Sequence, residues 1–282
     1  MIAPMKIALF SDVQANLPAM EEMIDRIEHW NPDLVVMNGD LVNRGPSSLE
    51  CLDLWRELEQ RRHCVAVRGN HEDFVHDCRL NPPPTPAEAE LRAFTDWTAN
   101  QLGDRIDECM AWPDQFLFHA PGAPERWVHV THGTLKSNRQ GILRSTPDEE
   151  IAAVMPHGVD LFVTAHTHRP LERVVDGVTI LNLGSVGSPF DRDPRASYAR
   201  LVWDGNDWQT TIERFEYDRD RAGRDYFDSG FYEGGGPLAR LIYEEWRRAE
   251  GMINRWRQQY QAAVRAGEIS ADRAVDEFLA AL

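Results

Sequence analysis

Lysine is almost missing from this chain: of 30 basic residues only Lys6 and Lys136 are lysines, a bias that genome composition explains better than function does. Positive charge is scarce overall, since 46 acidic residues leave a formal net charge of −16. A field of that sign repels nucleic-acid backbones and anionic membranes at long range, so no long polynucleotide is expected as a partner. No apolar run reaches membrane-spanning length, and no membrane partner is expected either. Cysteine is rare. Cys51, Cys64, Cys78 and Cys109 show no close pairing, which speaks against a thiolate zinc site and for free thiols in a reducing cytoplasm. The opening Met1-Ile2-Ala3-Pro4-Met5-Lys6 has no basic segment followed by an apolar stretch, so no secretory leader is expected. No internal repeat is present.

What the chain has is a set of donors for metal ions. Five short motifs follow in order: Ser11-Asp12-Val13-Gln14-Ala15-Asn16, Asn38-Gly39-Asp40, Gly69-Asn70-His71-Glu72, Thr131-His132-Gly133 and Ala165-His166-Thr167-His168. Carboxylate, amide oxygen and imidazole together suit manganese, iron or zinc. Several motifs directly follow an apolar run of strand type, which puts the donors where strands end and loops begin, the usual place for sites on open α/β sheets. Taken singly, Asp12, Asp40 and Asn70 also fit turns after strands, and the histidines fit satisfied polar positions. Recurrence at five places favours the metal reading.

With 42% hydrophobic residues over 282 positions, the chain can bury a sizeable core. Runs at Lys6 to Phe10, Leu34 to Met37 and Cys64 to Val67 read as strands. Two amphipathic helices lie between them, the first closed by Asn31-Pro32 and the second opened by a Ser47/Glu50 capping box. That is β-α-β-α-β, an α/β fold. Asn81-Pro82-Pro83-Pro84-Thr85-Pro86 is a stiff spacer before a helix over 87–102, in an insertion at about 79–115. That insertion reads as a cap over the site or as a surface decoration. Trp127 to Val130 and Leu161 to Thr164 are further strands, and Asp176-Gly177 and Asp204-Gly205 mark hairpins. A boundary is drawn after 218. Beyond it, Leu238, Ile242, Trp246, Ala249, Ile253, Trp256 and Tyr260 predict one long helix ended by Gly267, with Ser270 capping a last one. This 219–282 extension packs on its own domain or builds a homodimer.

The five motifs resemble the calcineurin-like metallophosphoesterase superfamily over roughly Lys6 to Phe215. The stretch Leu181-Asn182-Leu183-Gly184-Ser185-Val186-Gly187 through Asp193-Pro194-Arg195-Ala196-Ser197-Tyr198 looks like its small bacterial and archaeal phosphodiesterase members. The resemblance implies a four-layer αββα sandwich, here with a C-terminal helical extension. It also implies two divalent ions, manganese first and iron, zinc, nickel or magnesium as alternatives, that share a bridging carboxylate and hydroxide. By position, Asp40 would bridge. Asp12, His168 and Gln14 would hold the first metal, and Asn70, His132 and His166 the second. His71 matches the catalytic histidine, the natural proton donor to a leaving alkoxide. Arg44 matches a phosphate-binding arginine of related protein phosphatases, with a surface salt bridge as the alternative. Asn16 contacts substrate or caps the following helix, and Glu72 reads as a solvated or helix-opening residue. His29, His63, His76, His119, His129 and His157 are given no role.

Three residues depart from the family pattern. Gln14 stands where histidine is usual, a weaker and harder donor. Asn43 stands where the protein phosphatases carry an aspartate that orients the catalytic histidine, which argues against a protein phosphatase. Ala165 replaces a glycine. The expected activity is hydrolysis of a small phosphodiester or phosphomonoester. The alternatives are a dinucleoside polyphosphate hydrolase and a weakened metal- or nucleotide-binding homologue.

Overall fold

Strands buried on both faces read as unbroken apolar runs, and Ile7 to Phe10 is one: all four are buried in β1 (Met5–Phe10) of this computed structural model, which describes residues 4–282. The reading of the N-terminus rests partly on Met1 to Ala3, outside the described residues. On one side β1 pairs in parallel with β2 (Leu34–Asn38), Ile7 opposite Leu34, and β2 in turn with β3 (Cys64–Val67). On the other it pairs antiparallel with β9 (Ala196–Trp203), which hairpins through Asp204-Gly205 into β10 (Trp208–Phe215). A second five-stranded sheet runs β4 (Gln115–Ala120), β5 (Ala123–Thr131), β6 (Leu161–Thr164), β8 (Val178–Asn182), β7 (Leu171–Val175). The β7–β8 turn is Asp176-Gly177, with φ of 48° and 81°, the positive pair a two-residue hairpin favours. The β4–β5 hairpin extends the strand expected at Trp127 to Val130 and adds a partner that no sequence reading had supplied.

Between the sheets Ile7, Leu9, Val36 and Val67 meet Val128, Val130, Val163 and Leu181. The outer face of the first sheet, with Phe10 and Met37, packs under α1 (Leu17–Trp30) and α2 (Ser48–Arg61), where Trp55 is fully buried. Phe162 and Ile180 pack under the short α6 (Asp148–Ala152). The layers are therefore αββα, as expected.

Asn31, at φ 50°, closes α1 just before Pro32. The Ser47 capping box is not formed. Ser48 N, at the first position of α2, donates instead to Gln101 Oε1 at 2.9 Å, so a tertiary partner satisfies one of the free donors at the helix start. Gln101 lies on α4 (Pro86–Leu102), which with α3 (Asn70–Leu80) and α5 (Ile106–Met110) forms the segment between β3 and β4. The chain ends in α7 (Arg219–Asp228), α8 (Phe231–Gly234), α9 (Pro237–Arg248), α10 (Ile253–Arg265) and α11 (Ala271–Ala280). Leu91 and Phe94 of α4 share one apolar cluster with Phe231, Leu241, Trp256 and Phe278. The single long helix expected from Leu238 to Tyr260 is two. Ala249 turns left-handed at φ 51°, and the chain bends before α10 restarts at Ile253. Apolar spacing carried across the bend because both helices bury one face in the same cluster. Ser270 caps α11 as expected. Among the described residues no helix is long and apolar enough to cross a membrane.

Candidate metal centre

All five motifs sit just past the C-terminal ends of β1, β2, β3, β5 and β6. The loops after β1 and β2 are laced together by backbone bonds: Asp12 N to Gly39 O, Gln14 N to Asp40 O and Ala15 N to Leu41 O, each 3.0 Å. These turns are tight enough to force Asp12, Gln14, Asp40, His166 and His168 to positive φ, between 52° and 67°. Such backbone costs energy and persists where surrounding structure over-determines it. Gly69 permits a close approach to Asp40, since a Cβ there would lie 2.2 Å from Asp40 Oδ1.

The donors converge as the motifs predicted. Asp40, His132 and His166 bring one ligand atom each within 4.8 Å of one another, and so do Asp12, Asp40 and His168, with Asp40 common to both groups. Asn70 Oδ1 lies 3.2 Å from His132 Nε2 and 2.7 Å from His166 Nδ1, which places it with the first group. Gln14 Nε2 lies 3.1 Å from Asp40 Oδ2, leaving its own Oε1 without a partner. Two imidazoles are oriented by backbone carbonyls. His132 Nδ1 faces Asn38 O at 2.8 Å and His168 Nδ1 faces Ser188 O, so each proton sits on Nδ1 and Nε2 points its lone pair inward.

Do these residues fit divalent cations? Asp12 is fully buried, yet neither carboxylate oxygen has a hydrogen-bond partner, and Gln14 Oε1 is orphaned beside it. Burying a carboxylate without hydrogen bonds costs several kcal/mol unless a cation compensates, on the order of the Born penalty after relaxation. The nearest positive candidate is His168 Nε2, 3.2 Å from Asp12 Oδ1. The mix of two carboxylates, two amide oxygens and three imidazoles is what a pair of borderline divalent ions accepts. The fit is good.

The electrostatics agree. Burial alone would raise Asp40, but the charges and hydrogen bonds of His132 and His71 hold it well below the usual carboxylate range. Burial opposes protonation of His132, yet the Asp40 carboxylate beside it pushes it up to about 10. His166 is pulled down to about 4 by burial and by neighbouring His132.

Of the two readings of Glu72, solvated or helix-opening, the second holds, since it stands in the first turn of α3 and reaches back to its cap. Glu72 is not solvated: it is fully buried, and its carboxylate accepts from Asp40 N at 3.0 Å, Leu41 N at 2.8 Å, Val42 N at 3.3 Å and Gly69 N at 2.8 Å. Burial and the Asp40 charge push it up to about 7 against those donors. Its place at the third position of α3, where an acid reaches back to the cap, was the available signal. Glu245 of α9 received no role. It is buried, pairs with Arg44 and accepts from Met252 N and from Ile253 N at 2.7 Å, so it also closes the start of α10. A lone carboxylate on an otherwise apolar helix face was its signal.

His71 and Asn43 form a defined pair. Asn43 Oδ1 accepts from Arg44 N at 2.9 Å and from Thr98 Oγ1 at 3.2 Å, so its Nδ2 faces His71 Nδ1 at 2.9 Å. That nitrogen must therefore accept, and the ring proton sits on Nε2, 3.9 Å from Asp40 Oδ2. Burial, with Arg44, His168 and His166 adding to it, pulls His71 down to about 3. Arg44 lies beside the histidines on the cavity wall, its guanidinium 5.7 Å from the Phe190 ring centroid, so its salt bridge to Glu245 is a buried one. Asn16 does cap α1: Oδ1 accepts from Ala19 N at 3.2 Å, and Nδ2 donates to Gly187 O and Tyr217 OH. No polar atom of Asn16 is left for substrate, and it does not line the cavity. The cavity itself holds about 950 Å³ and reaches from Asp40, Asn70 and His71 to Ile253 and Arg257 of α10.

Comparison with known proteins agrees with this geometry. The calcineurin-like phosphoesterase family matches residues 5–170. A metallophosphoesterase from Sphaerobacter thermophilus superposes with a TM-score of 0.68 at 25% identity, over 88% of this chain and all of that one. An uncharacterized protein of Methanocaldococcus jannaschii is 26% identical over 77% of this chain and 89% of its own length. A symmetrical bis(5'-nucleosyl)-tetraphosphatase of Thioalkalivibrio sulfidiphilus is 30% identical over 51% of this chain and 54% of its own. This chain belongs to the calcineurin-like phosphoesterase family.

Proposed function

We propose that the protein is a dinuclear metal-dependent hydrolase of a small phosphomonoester or phosphodiester. The observation that carries this reading is buried Asp12, whose unpartnered oxygens face the same space as Asp40, the residue common to both donor groups. Asp12, Gln14, His168 and Asp40 would hold one ion, and Asp40, Asn70, His132 and His166 the other, with manganese first among the metals considered. When bound, such ions supply an acidified water and offset the charge that builds on the phosphoryl oxygens.

The chain's own groups do the rest. Glu72 fixes the Asp40 turn through four backbone N–H groups, which holds the shared carboxylate in place. Asn43 keeps His71 in its Nε2–H form, so the proton available to a leaving oxygen is at Nε2. An aspartate there would favour imidazolium; the amide does not. His71 thus acts as a neutral hydrogen-bond donor until substrate charge arrives beside it. Thr95 and Thr98 of α4 buttress Asn43, which ties the 79–115 insertion to the site. In this reading residues 1–218 form the catalytic domain, and the 219–282 extension with α4 serves as its cap. Four free cysteines suit a reducing cytoplasm.

Dinucleoside polyphosphate hydrolysis is the second reading, favoured by a cavity of about 950 Å³, at the upper end for small-ligand sites. The test is hydrolysis of aryl phosphate mono- and diesters and of a dinucleoside tetraphosphate by metal-stripped protein, with each divalent ion added back. Activity should be absent without metal and return with manganese. Full activity in excess chelator, after verified metal removal, overturns the reading.

A further inference from the structure

The chain carries a net charge of −16, yet the cavity beside the candidate metal centre is lined by six arginines: Arg44, Arg139, Arg169, Arg255, Arg257 and Arg265. Only two acidic residues line it, Asp40 and Glu245. Asp40 belongs to the metal centre, and Glu245 is committed to Arg44. Arg265 pairs with Glu88 at 2.6 Å. Among the described residues Arg139, Arg169, Arg255 and Arg257 have no salt-bridge partner, Arg255 lying instead over the Phe278 ring, although carboxylates outnumber basic groups throughout the chain. Arginines elsewhere mostly carry one, as Arg240 does with Asp272 and Asp276.

The unpaired arginines converge from separate elements. Arg139 comes from the loop after β5, Arg169 from the residue following the last metal motif, and Arg257 from the second turn of α10. Arg169 Nε is fixed by Phe190 O at 2.9 Å. Arg257 is exposed, and the charges of Arg44, Arg265 and Arg139 bear on its guanidinium. Like charges gathered around one space raise the local positive potential and attract an anion to it. The start of α10 is not the attraction, because Glu245 already takes the Met252 and Ile253 N–H groups.

We propose that Arg139, Arg169 and Arg257 form an anion subsite beside the metal centre, which holds the further phosphates of a substrate whose phosphates are joined in a chain. The inference rests on the phosphoester-hydrolase reading and deepens it: one phosphoryl group sits at the metals while the rest of the chain runs under α10. Guanidinium forks suit this task because each can grip phosphate oxygens by two hydrogen bonds. Arg257 lies well beyond residue 170, where the family match ends, so the C-terminal helices supply this part of the wall, while Arg139 and Arg169 lie within the matched residues.

The test is calorimetric titration of inorganic tripolyphosphate and of orthophosphate into metal-stripped and manganese-loaded protein. Arg139→Gln/Arg257→Gln should weaken tripolyphosphate at least tenfold and orthophosphate less than twofold. Arg224→Gln/Arg273→Gln removes the same charge outside the cavity and should leave the tripolyphosphate affinity within twofold of the unmodified protein. Should the first variant unfold, Arg139→Gln/Arg169→Gln tests the opposite wall. Wild-type affinity in the cavity variant, equal losses in the two double variants, or no tripolyphosphate binding at all overturns the subsite. A short single-stranded oligonucleotide that binds more tightly than tripolyphosphate overturns the phosphate-chain assignment. Binding that depends on the cavity arginines, in a protein that hydrolyses no phosphoester, would leave the subsite standing and remove the hydrolase reading.

Discussion

One cavity has two unlike walls. The metal-side wall is built from loops at strand ends: its donors are short and buried, and positive-φ turns and backbone bonds hold them in place. The opposite wall is mainly α10, whose contribution is long arginine and glutamine side chains on exposed helix positions, with buried Glu245 of α9 behind them. The contrast separates two jobs. Chemistry needs donors placed within fractions of an ångström, so the fold stores strain to hold them. Recognition of a flexible anion needs charge and reach, which long side chains on a docked helix supply without strain.

Substitutions on the first wall should therefore change metal content, kcat or stability, and those on the second mainly KM. Asp40→Ala should have the largest effect. It removes the carboxylate common to both donor groups, so metal content by elemental analysis and activity should both drop to background. A variant that keeps two ions per chain would break the assignment.

Next comes His71→Ala, which should lower kcat by roughly 10²–10⁴-fold while leaving metal content intact. The loss should shrink for aryl esters with better leaving groups. If metal content falls as it does in Asp40→Ala, then His71 is a ligand and not the proton donor.

Glu72→Gln tests whether the metal-side wall is held rigidly. Replacing one acceptor oxygen by an amide sets a donor against backbone N–H groups, and unfolding stability should fall by about 3 kcal/mol. Urea denaturation of metal-free protein measures it. A loss below about 0.5 kcal/mol, the level of an ordinary surface change, would mean the four bonds do not hold the turn.

A smaller change is expected from Gln14→His. Imidazole is the stronger donor, so the site with Asp12 and His168 should bind its ion about tenfold more tightly and favour softer metals. Calorimetry on both proteins decides it, and identical affinities would place Gln14 outside the coordination sphere.

The smallest effect crosses to the helical wall. Glu245→Gln keeps the shape but loses the charge that holds Arg44 and closes α10. KM should rise by a few-fold with kcat within twofold, read from initial rates on an aryl phosphate. A fall in kcat with unchanged KM would show that this wall acts on the chemistry and erase the contrast.

The metal-side wall was legible in the sequence because its chemistry is local. A ligand type directly after an apolar strand is a short-range pattern, and five repeats of it marked the loops that the structure brings together, while the choice of seven donors among their residues came from the family resemblance. The strands themselves gave an α/β fold, and the αββα layering too was what the resemblance implied. What escaped were residues whose partners are distant. Glu72 read as solvated or helix-opening; its own motif held the signal for Gly69 N, but not for the Asp40, Leu41 and Val42 N–H groups that also close around it. Ser47 read as a cap because Gln101, which satisfies the next residue's N–H, is remote in sequence. Asn16 kept two readings until its three hydrogen bonds were seen.

Sequence alone determined the candidate donors, the first β-α-β-α-β run and the acid excess, since each is carried by residue type and near-neighbour spacing. Tertiary structure decided the rest. It split one amphipathic stretch into α9 and α10, because Ala249 turns left-handed and Glu245 satisfies the restarting helix. It also gathered arginines from three separate elements onto one cavity of a strongly acidic chain. Net charge is a sum over the whole sequence. A local field depends on which side chains the fold brings within a few ångströms of each other, and no count along the chain contains that information.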